Sequence, residues 1–346
     1  MSDALLSVRD LKTYFFADEG ISKAVDGASF DVHPGKTLGI VGESGCGKSV
    51  TARSILRIVE RPGRIVGGEI LLRDSTGTLD LATLAQDGRR MRDIRGGEIA
   101  LVFQEPMTSF SPVHTIGSQI MEAIQLHRRV SKAEARTRAV ELMKLVGIPR
   151  PEARIDEYAY QLSGGLRQRA MIAMALSATP RLLIADEPTT ALDVTTQSQI
   201  LSLLRELQRR TEMAIMLITH DLGVIAEMAD EVVVMYLGRV VEQGPVDEIF
   251  HNAKHPYTQA LLRSIPSMHA AGRSRLPTIS GSIPHPFNRP TGCPFHPRCP
   301  AFMAGTCDRH EPVLTFVGDA HAVSCFLYEP PAVGRQPSDG VARGGG

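Results

Sequence analysis

Apolar residues along this chain follow two rhythms. Short continuous runs read as buried strands: Leu38-Gly39-Ile40-Val41, Ile99-Ala100-Leu101-Val102-Phe103, Leu182-Leu183-Ile184-Ala185, Ala214 to Ile218, and Val232-Val233-Val234-Met235. Between them lie segments with helical spacing. Val50 to Val59 places Ile55, Ile58 and Val59 on one side, and a later helix carries Ile200, Leu203, Leu204 and Leu207. Leu222 to Met228 predicts a shorter one. This alternation predicts an α/β core built on a parallel sheet.

Three regions depart from that rhythm. Residues 4 to 33 alternate short apolar runs with turns, which predicts antiparallel β-structure. Gly67-Gly68-Glu69-Ile70-Leu71-Leu72 reads as another edge strand, and Asp74 to Arg95 as polar and turn-rich. From Ile116 to about Gly147 the pattern is helical throughout. Ser131-Lys132-Ala133-Glu134 is a capping box, followed by Ala135, Ala139, Leu142, Met143 and Val146 on one face, and Gly147 and Pro149 stop the helix. Glu105-Pro106 breaks the strand before it. Residues of about 105–167 therefore read as a helical subdomain inserted in the core. After His251 the periodicity ends, and Pro, Gly, His and Cys become frequent. The expected division is a core over 1–250, an extension over 251–329, and a disordered Pro/Gly-rich tail over 330–346.

Composition narrows the function. The chain has 346 residues, with 38 Lys+Arg against 38 Asp+Glu and a formal net charge of zero. That balance gives no general surface for nucleic acid or acidic lipid. No apolar stretch is long enough to span a bilayer. Met1-Ser2-Asp3-Ala4 shows no signal-peptide pattern. The expectation is a cytosolic protein that meets a membrane only through partner subunits. Five cysteines then read as metal ligands or reactive thiols sooner than as disulfides.

The chemistry concentrates in Gly42-Glu43-Ser44-Gly45-Cys46-Gly47-Lys48-Ser49, which fits G-x-x-x-x-G-K-[ST]. It lies between a predicted strand and a helix starting at Val50. Glycines let successive backbone N–H groups turn around an anion, and the helix end adds positive potential. Lys48 would place its charge on the β- and γ-phosphates, and the Ser49 hydroxyl would ligate Mg²⁺. Cys46, beside Lys48 at a helix start, is either an oxidation-sensitive thiol or a small residue the loop tolerates. Tyr14-Phe15-Phe16 is either core or a source of one base-stacking ring.

Later motifs make the reading specific. Leu162-Ser163-Gly164-Gly165-Leu166-Arg167-Gln168 resembles the LSGGQ-type signature of ABC (ATP-binding cassette) ATPases, with Leu166 where that family most often has Gln. It precedes the apolar strand ending in Asp186-Glu187, as in that family. Gln104 resembles the Q-loop glutamine, Ala191-Leu192-Asp193 the D-loop, and His220 the switch histidine. The resemblance implies a RecA-like core with an antiparallel β subdomain, and ATP hydrolysis. Asp186 would bind the Mg²⁺ shell, and Glu187 would polarise the attacking water. Gln104 would sense metal and γ-phosphate, and His220 would hydrogen-bond both phosphate and water. Ser163, Gly164 and Gly165 would face the phosphate loop of a second ATPase. Phe15 would stack on the base, with Tyr14 the next candidate.

The extension resembles the C-terminal region of ATPases from dipeptide/oligopeptide importers. The matching residues are His255-Pro256-Tyr257-Thr258, Leu261-Leu262, Ile265-Pro266 and Cys293-Pro294-Phe295-His296-Pro297-Arg298-Cys299. Cys293, Cys299, Cys307 and Cys325 are spaced C-x5-C-x7-C-x17-C. This is not a standard zinc spacing. The resemblance implies a [4Fe-4S] cluster of structural role; zinc and free thiols remain alternatives. His296, His310 and His321 are read as solvated rather than as ligands. The expected protein is the ATPase subunit of a peptide/nickel-class importer at the cytoplasmic face of the membrane. Its partners would be a second ATPase (copy or paralogue), two permeases and an extracytoplasmic binding protein. The alternative is a soluble ABC ATPase acting on nucleic acid or ribosomes; a non-hydrolysing scaffold is disfavoured by the presence of Lys48, Asp186, Glu187 and His220.

Overall fold

The computed structural model describes residues 4–74, 77–104, 109–190, 192–264, 279 and 281–328. Glu105-Pro106, Ala191, Ile265-Pro266 and the tail from 330 onward lie outside the described residues.

Two sheets organise the chain. The first is antiparallel: β1 (Leu6–Ala17), β2 (Gly20–Val32), β4 (Gly63–Asp74) and β5 (Gly77–Asp80), in the order β2-β1-β4-β5. The Gly67–Leu72 strand is an edge only in part, since β5 pairs with it from Leu71 onward. It is the middle of β4, which pairs with β1 along its length and with β5 only at Leu71 to Asp74. The second sheet contains β3 (Thr37–Val41), β6 (Ile99–Val102), β7 (Leu182–Asp186), β8 (Ala214–Ile218), β9 (Glu231–Tyr236), β10 (Arg239–Pro245), β11 (Thr315–Phe316) and β12 (Ala322–Val323). Its order is β11-β12-β10-β9-β3-β8-β7-β6. The five strands from β9 to β6 are parallel, as the continuous apolar runs predict for strands buried on both faces. β3, β7 and β8 are buried along their whole length.

Helices cover this sheet: α1 (Lys48–Ile55), α2 (Arg89–Gly97), α3 (Ile116–His127), α4 (Lys132–Leu145), α5 (Pro151–Arg154), α6 (Gly164–Ala175), α7 (Val194–Thr211), α8 (Leu222–Met228), α9 (Val246–His251) and α10 (Pro256–Arg263). The helical region after Ile116 is two helices joined by a short link, and Ser131 and Glu134 form both bonds of the capping box at α4. α2 occupies a stretch read as turns; its buried Met91 and Ile94, three apart, hold it to the core. One core cluster joins the antiparallel sheet, α1 and α2 to one face of the parallel sheet. The other fills the opposite face and continues into the helical subdomain and the extension.

The segment after 250 shares the core of the parallel sheet. Tyr257 and Phe295 are fully buried against Tyr236 of β9, and β12 pairs with β10. His321 is buried rather than solvated, with Nε2 2.8 Å from the Glu242 carboxylate. His296 is half-buried with Nδ1 3.0 Å from the Cys293 carbonyl oxygen, and His310 is half-buried too.

Candidate functional site

Parallel register puts the chemistry at one end of the sheet. Asp186 pairs with Ile218, and Ile40 pairs with the same Ile218, so the carboxyl ends of β3, β7 and β8 finish level. The phosphate loop leaves β3, Asp186 and Glu187 end β7, and His220 follows β8; Gln104 follows β6 on the far side of β7. A ligand gathered at strand ends is what this architecture favours.

Within the loop, backbone space is the determinant. Gly47 has φ +102°, and a Cβ there would come within 2.2 Å of the Ala24 carbonyl. Gly42, at φ +152°, would meet the Met235 carbonyl at the same distance. Only glycine lets the loop pass so close to β2 and β9. Lys48 and Ser49 open α1. Lys48 Nζ donates to the carbonyls of Gly42 at 2.7 Å and Glu43 at 3.1 Å. Cys46 is buried, and burial outweighs the nearby Lys48 charge, so its thiol pKa is raised. That removes the basis for an activated thiol. Ser44 and Gly45 are exposed, and Val50 is half-buried on the first turn of α1.

Opposite the loop stand two carboxylates. Asp186 accepts a hydrogen bond from Ser49 Oγ at 3.0 Å. Burial, with Glu187 adding, raises the Asp186 pKa against the opposing pull of Ser49. Glu187 is held from three sides. Gln104 Nε2 donates to Oε2 at 3.0 Å, Thr190 Oγ1 donates to Oε2 at 2.9 Å, and His220 Nδ1 lies 3.3 Å from Oε1. Its backbone φ is +49°, and its N–H donates to the Ile218 carbonyl at 2.8 Å. A non-glycine residue in that region costs energy and recurs where function fixes a side chain. Thr190 is the member of this group that sequence reading missed; only its place three residues after Glu187 marked it.

Ser163 Oγ caps α6 by accepting from Leu166 N–H, so the helix starts at Gly164. Ser163 and Gly164 are exposed, and among the described residues no hydrogen bond joins them or Gly165 to the phosphate loop. Their neighbours are Leu192 and Thr196, on the D-loop side. Phe15 is half-buried, with its ring edge beside Gly63, where Val59 also packs. Tyr14 turns to the opposite face and donates to Asp26 at 2.5 Å.

In the extension, the four cysteines are unpaired. Burial raises the thiols of Cys293, to about 12, and Cys325, to about 11, and Cys299 in the same direction. Each is also raised by neighbouring thiols of the group, so the four lie within electrostatic reach of one another. The backbone at Phe295, Ala301 and Leu327 works against that rise at Cys293, Cys299 and Cys325 respectively. Yet among the described residues no group of three or more His, Cys, Asp or Glu is arranged to hold a metal ion. The expected iron–sulfur centre finds no support in that arrangement.

A glycine-cradled phosphate loop facing a Ser-linked aspartate and a braced glutamate defines a nucleotide triphosphatase of the α/β cassette type. The sequence comparisons place it further. Residues 25–190 match the ABC transporter family, and residues 241–307 match the oligopeptide/dipeptide transporter C-terminal region. A probable peptide ABC transporter ATP-binding protein of Sinorhizobium fredii is 51% identical over 94% of this chain and 95% of its own. The dipeptide transport ATP-binding protein DppD of Haemophilus influenzae is 50% identical over 93% and 95%. Among solved structures, the dimeric cassette MJ0796 matches with TM-score 0.62 and 26% identity, covering 70% of this chain and 98% of that one. The chain belongs to the ABC transporter family, among the ATP-binding subunits that carry the oligopeptide/dipeptide C-terminal region. Nothing in these comparisons supports the nucleic-acid alternative.

Proposed function

We propose that this chain is the ATP-hydrolysing subunit of an importer for peptides or a related small solute. The observation that carries it is Glu187, a carboxylate at a strand end braced by Gln104, Thr190 and His220 and facing the phosphate loop across Asp186. Gly42 to Val50 cradle the phosphates, and Lys48 turns from the loop carbonyls to phosphate oxygens. Ser49 and Asp186, with Gln104, would hold Mg²⁺, which would supply charge neutralisation at the phosphates. Glu187 accepts the proton of the attacking water while His220 and Gln104 orient it. Glu187→Gln is expected to keep Mg-ATP binding and lose at least about a hundredfold in hydrolysis. Hydrolysis persisting in that variant would remove Glu187 from this role.

No described helix is long and apolar enough to cross a membrane. The relatives' names speak of peptide and dipeptide transport. The partners that follow are a second ATPase, two permeases and an extracytoplasmic binding protein, with this chain peripheral at the cytoplasmic face. Cys293, Cys299, Cys307 and Cys325 are the ligand set for a [4Fe-4S] cluster in this reading. Its support is the donor chemistry: four free thiols in one short segment, whose charges act on one another. The arrangement as it stands is no ligand shell, so no step of the mechanism runs through it. Protein purified without oxygen should contain iron and acid-labile sulfide; zinc, or no metal, would overturn the assignment.

A further inference from the structure

The phosphate loop is held from behind by the extension, and Glu43 is the residue it holds. The Glu43 backbone N–H donates to Tyr257 Oη at 2.9 Å. The Glu43 carboxylate takes both arms of Arg298, Nη1 to Oε2 at 2.7 Å and Nη2 to Oε1 at 3.0 Å. Its carbonyl receives Lys48 Nζ. One loop residue thus joins the phosphate-binding lysine to two separate segments of the extension.

Both partners are themselves fixed. The Arg298 side chain is 4% exposed, and its guanidinium also donates to Tyr236 Oη at 3.4 Å. Tyr236, Tyr257 and Phe295 pack as a trio, with ring centroids 4.7 to 5.3 Å apart. Tyr257 starts from the first turn of α10, which is anchored by Pro256 and capped by His255. Burial raises the Tyr257 hydroxyl pKa, so it stays a neutral acceptor.

We propose that Tyr257 and Arg298 are positioning residues for ATP. They hold Glu43, and through it the loop from Ser44 to Ser49, in the shape that receives the phosphates. This rests on the reading of the loop as an ATP site. An anion nest binds well only if its donors are aligned before the anion arrives; a loop free to spread must be reordered at binding. With its N–H taken up by Tyr257 and its carbonyl accepting the Cys46 N–H at 3.3 Å as well as Lys48 Nζ, Glu43 marks the start of the cradle and fixes its first turn. The forked pair fixes the plane of the Glu43 side chain as a single ammonium would not.

The test measures Mg-ATP binding and steady-state hydrolysis for full-length wild type, Tyr257→Phe, Arg298→Met and Arg298→Lys. Tyr257→Phe keeps the ring and removes only the acceptor. Its Kd and KM for ATP should rise about fivefold, with kcat within about twofold, the pattern of lost binding rather than lost chemistry. Arg298→Met should raise both by about tenfold or more, and Arg298→Lys should fall between, because it restores the charge without the fork. If Arg298→Met does not fold, Tyr257→Phe and Arg298→Lys decide. Wild type that binds Mg-ATP, with both of these variants binding equally well, overturns the proposal and leaves the ATPase reading intact. Wild type that fails to bind Mg-ATP sinks both.

Discussion

His255 shows how one side chain ties chemistry to stability here. Its Nδ1 accepts the Tyr257 N–H at 3.0 Å, capping α10, and its ring also meets the Ser324 backbone. Its own N–H donates to Glu242, which His321 also contacts. The ring is fully buried, and burial lowers its pKa from 6.5 to about 3. The folded chain therefore keeps this imidazole neutral, whereas the unfolded chain protonates it below its ordinary pKa. Its contribution is complete above pH 6.5 and is lost as pH falls toward 3, by about 1.4 kcal/mol per unit in that window. His255→Asn keeps a capping oxygen but has no proton to gain. Melting temperature should thus fall less steeply between pH 6.5 and 5 in His255→Asn than in wild type. Parallel curves would show that acid acts elsewhere. The same residue explains why His255-Pro256-Tyr257 stand together: a neutral cap, a proline that fits the first turn, and a ring delivered to the phosphate loop.

At the level of elements, legibility followed how much each one relies on its own sequence. β3, β7 and β8 are buried on both faces, so their runs of Val, Ile and Leu declared them. α4 announced itself by Ser131 and Glu134, whose bonds form in the structure as the spacing requires. The phosphate loop was legible because its glycines answer to backbone closeness at Ala24 and Met235, which few other residues could satisfy. α2 was not legible. It offers two apolar side chains, Met91 and Ile94, among arginines, and tertiary contact rather than periodicity makes it helical. β10 and α10 were hidden differently. β10 carries Glu242 fully buried, which sequence reads as a surface residue until His321 and two backbone N–H groups are seen around it. α10 is only eight residues long and buries Pro256, Tyr257 and Thr258 rather than its Leu261-Leu262 pair, so no run of buried aliphatic residues marked it. Contacts between distant segments, such as Glu43 with Arg298, leave no local trace at all.

For the molecule as a whole, the question is what completes the nucleotide site. Ser49 bonds to Asp186, Gln104 and His220 contact Glu187, and Lys48 bonds to the loop carbonyls of Gly42 and Glu43, all at the carboxyl ends of neighbouring parallel strands. Ser163, Gly164 and Gly165 form a second glycine-rich helix start, which lies beside Leu192 and Thr196 with Ser163 and Gly164 exposed. A related cassette at 26% identity is described as dimeric. Two such chains, head to tail, would bring the exposed helix start of each to the phosphate loop of the other, so that ATP lies between subunits. ATP should then drive association, and blocked hydrolysis should preserve it. Glu187→Gln with Mg-ATP is expected to shift from monomer to dimer in sedimentation, either alone or mixed with a partner ATPase, and to return to monomer when ATP is removed. Adding Ser163→Arg to that variant places a long side chain at the proposed interface, far along the chain from the loop's own residues. It should abolish the dimer while leaving Mg-ATP affinity of the monomer within about twofold, since sites without shared contacts act independently. A loss of monomer affinity in Ser163→Arg would mean instead that the signature serves the phosphate loop of its own chain.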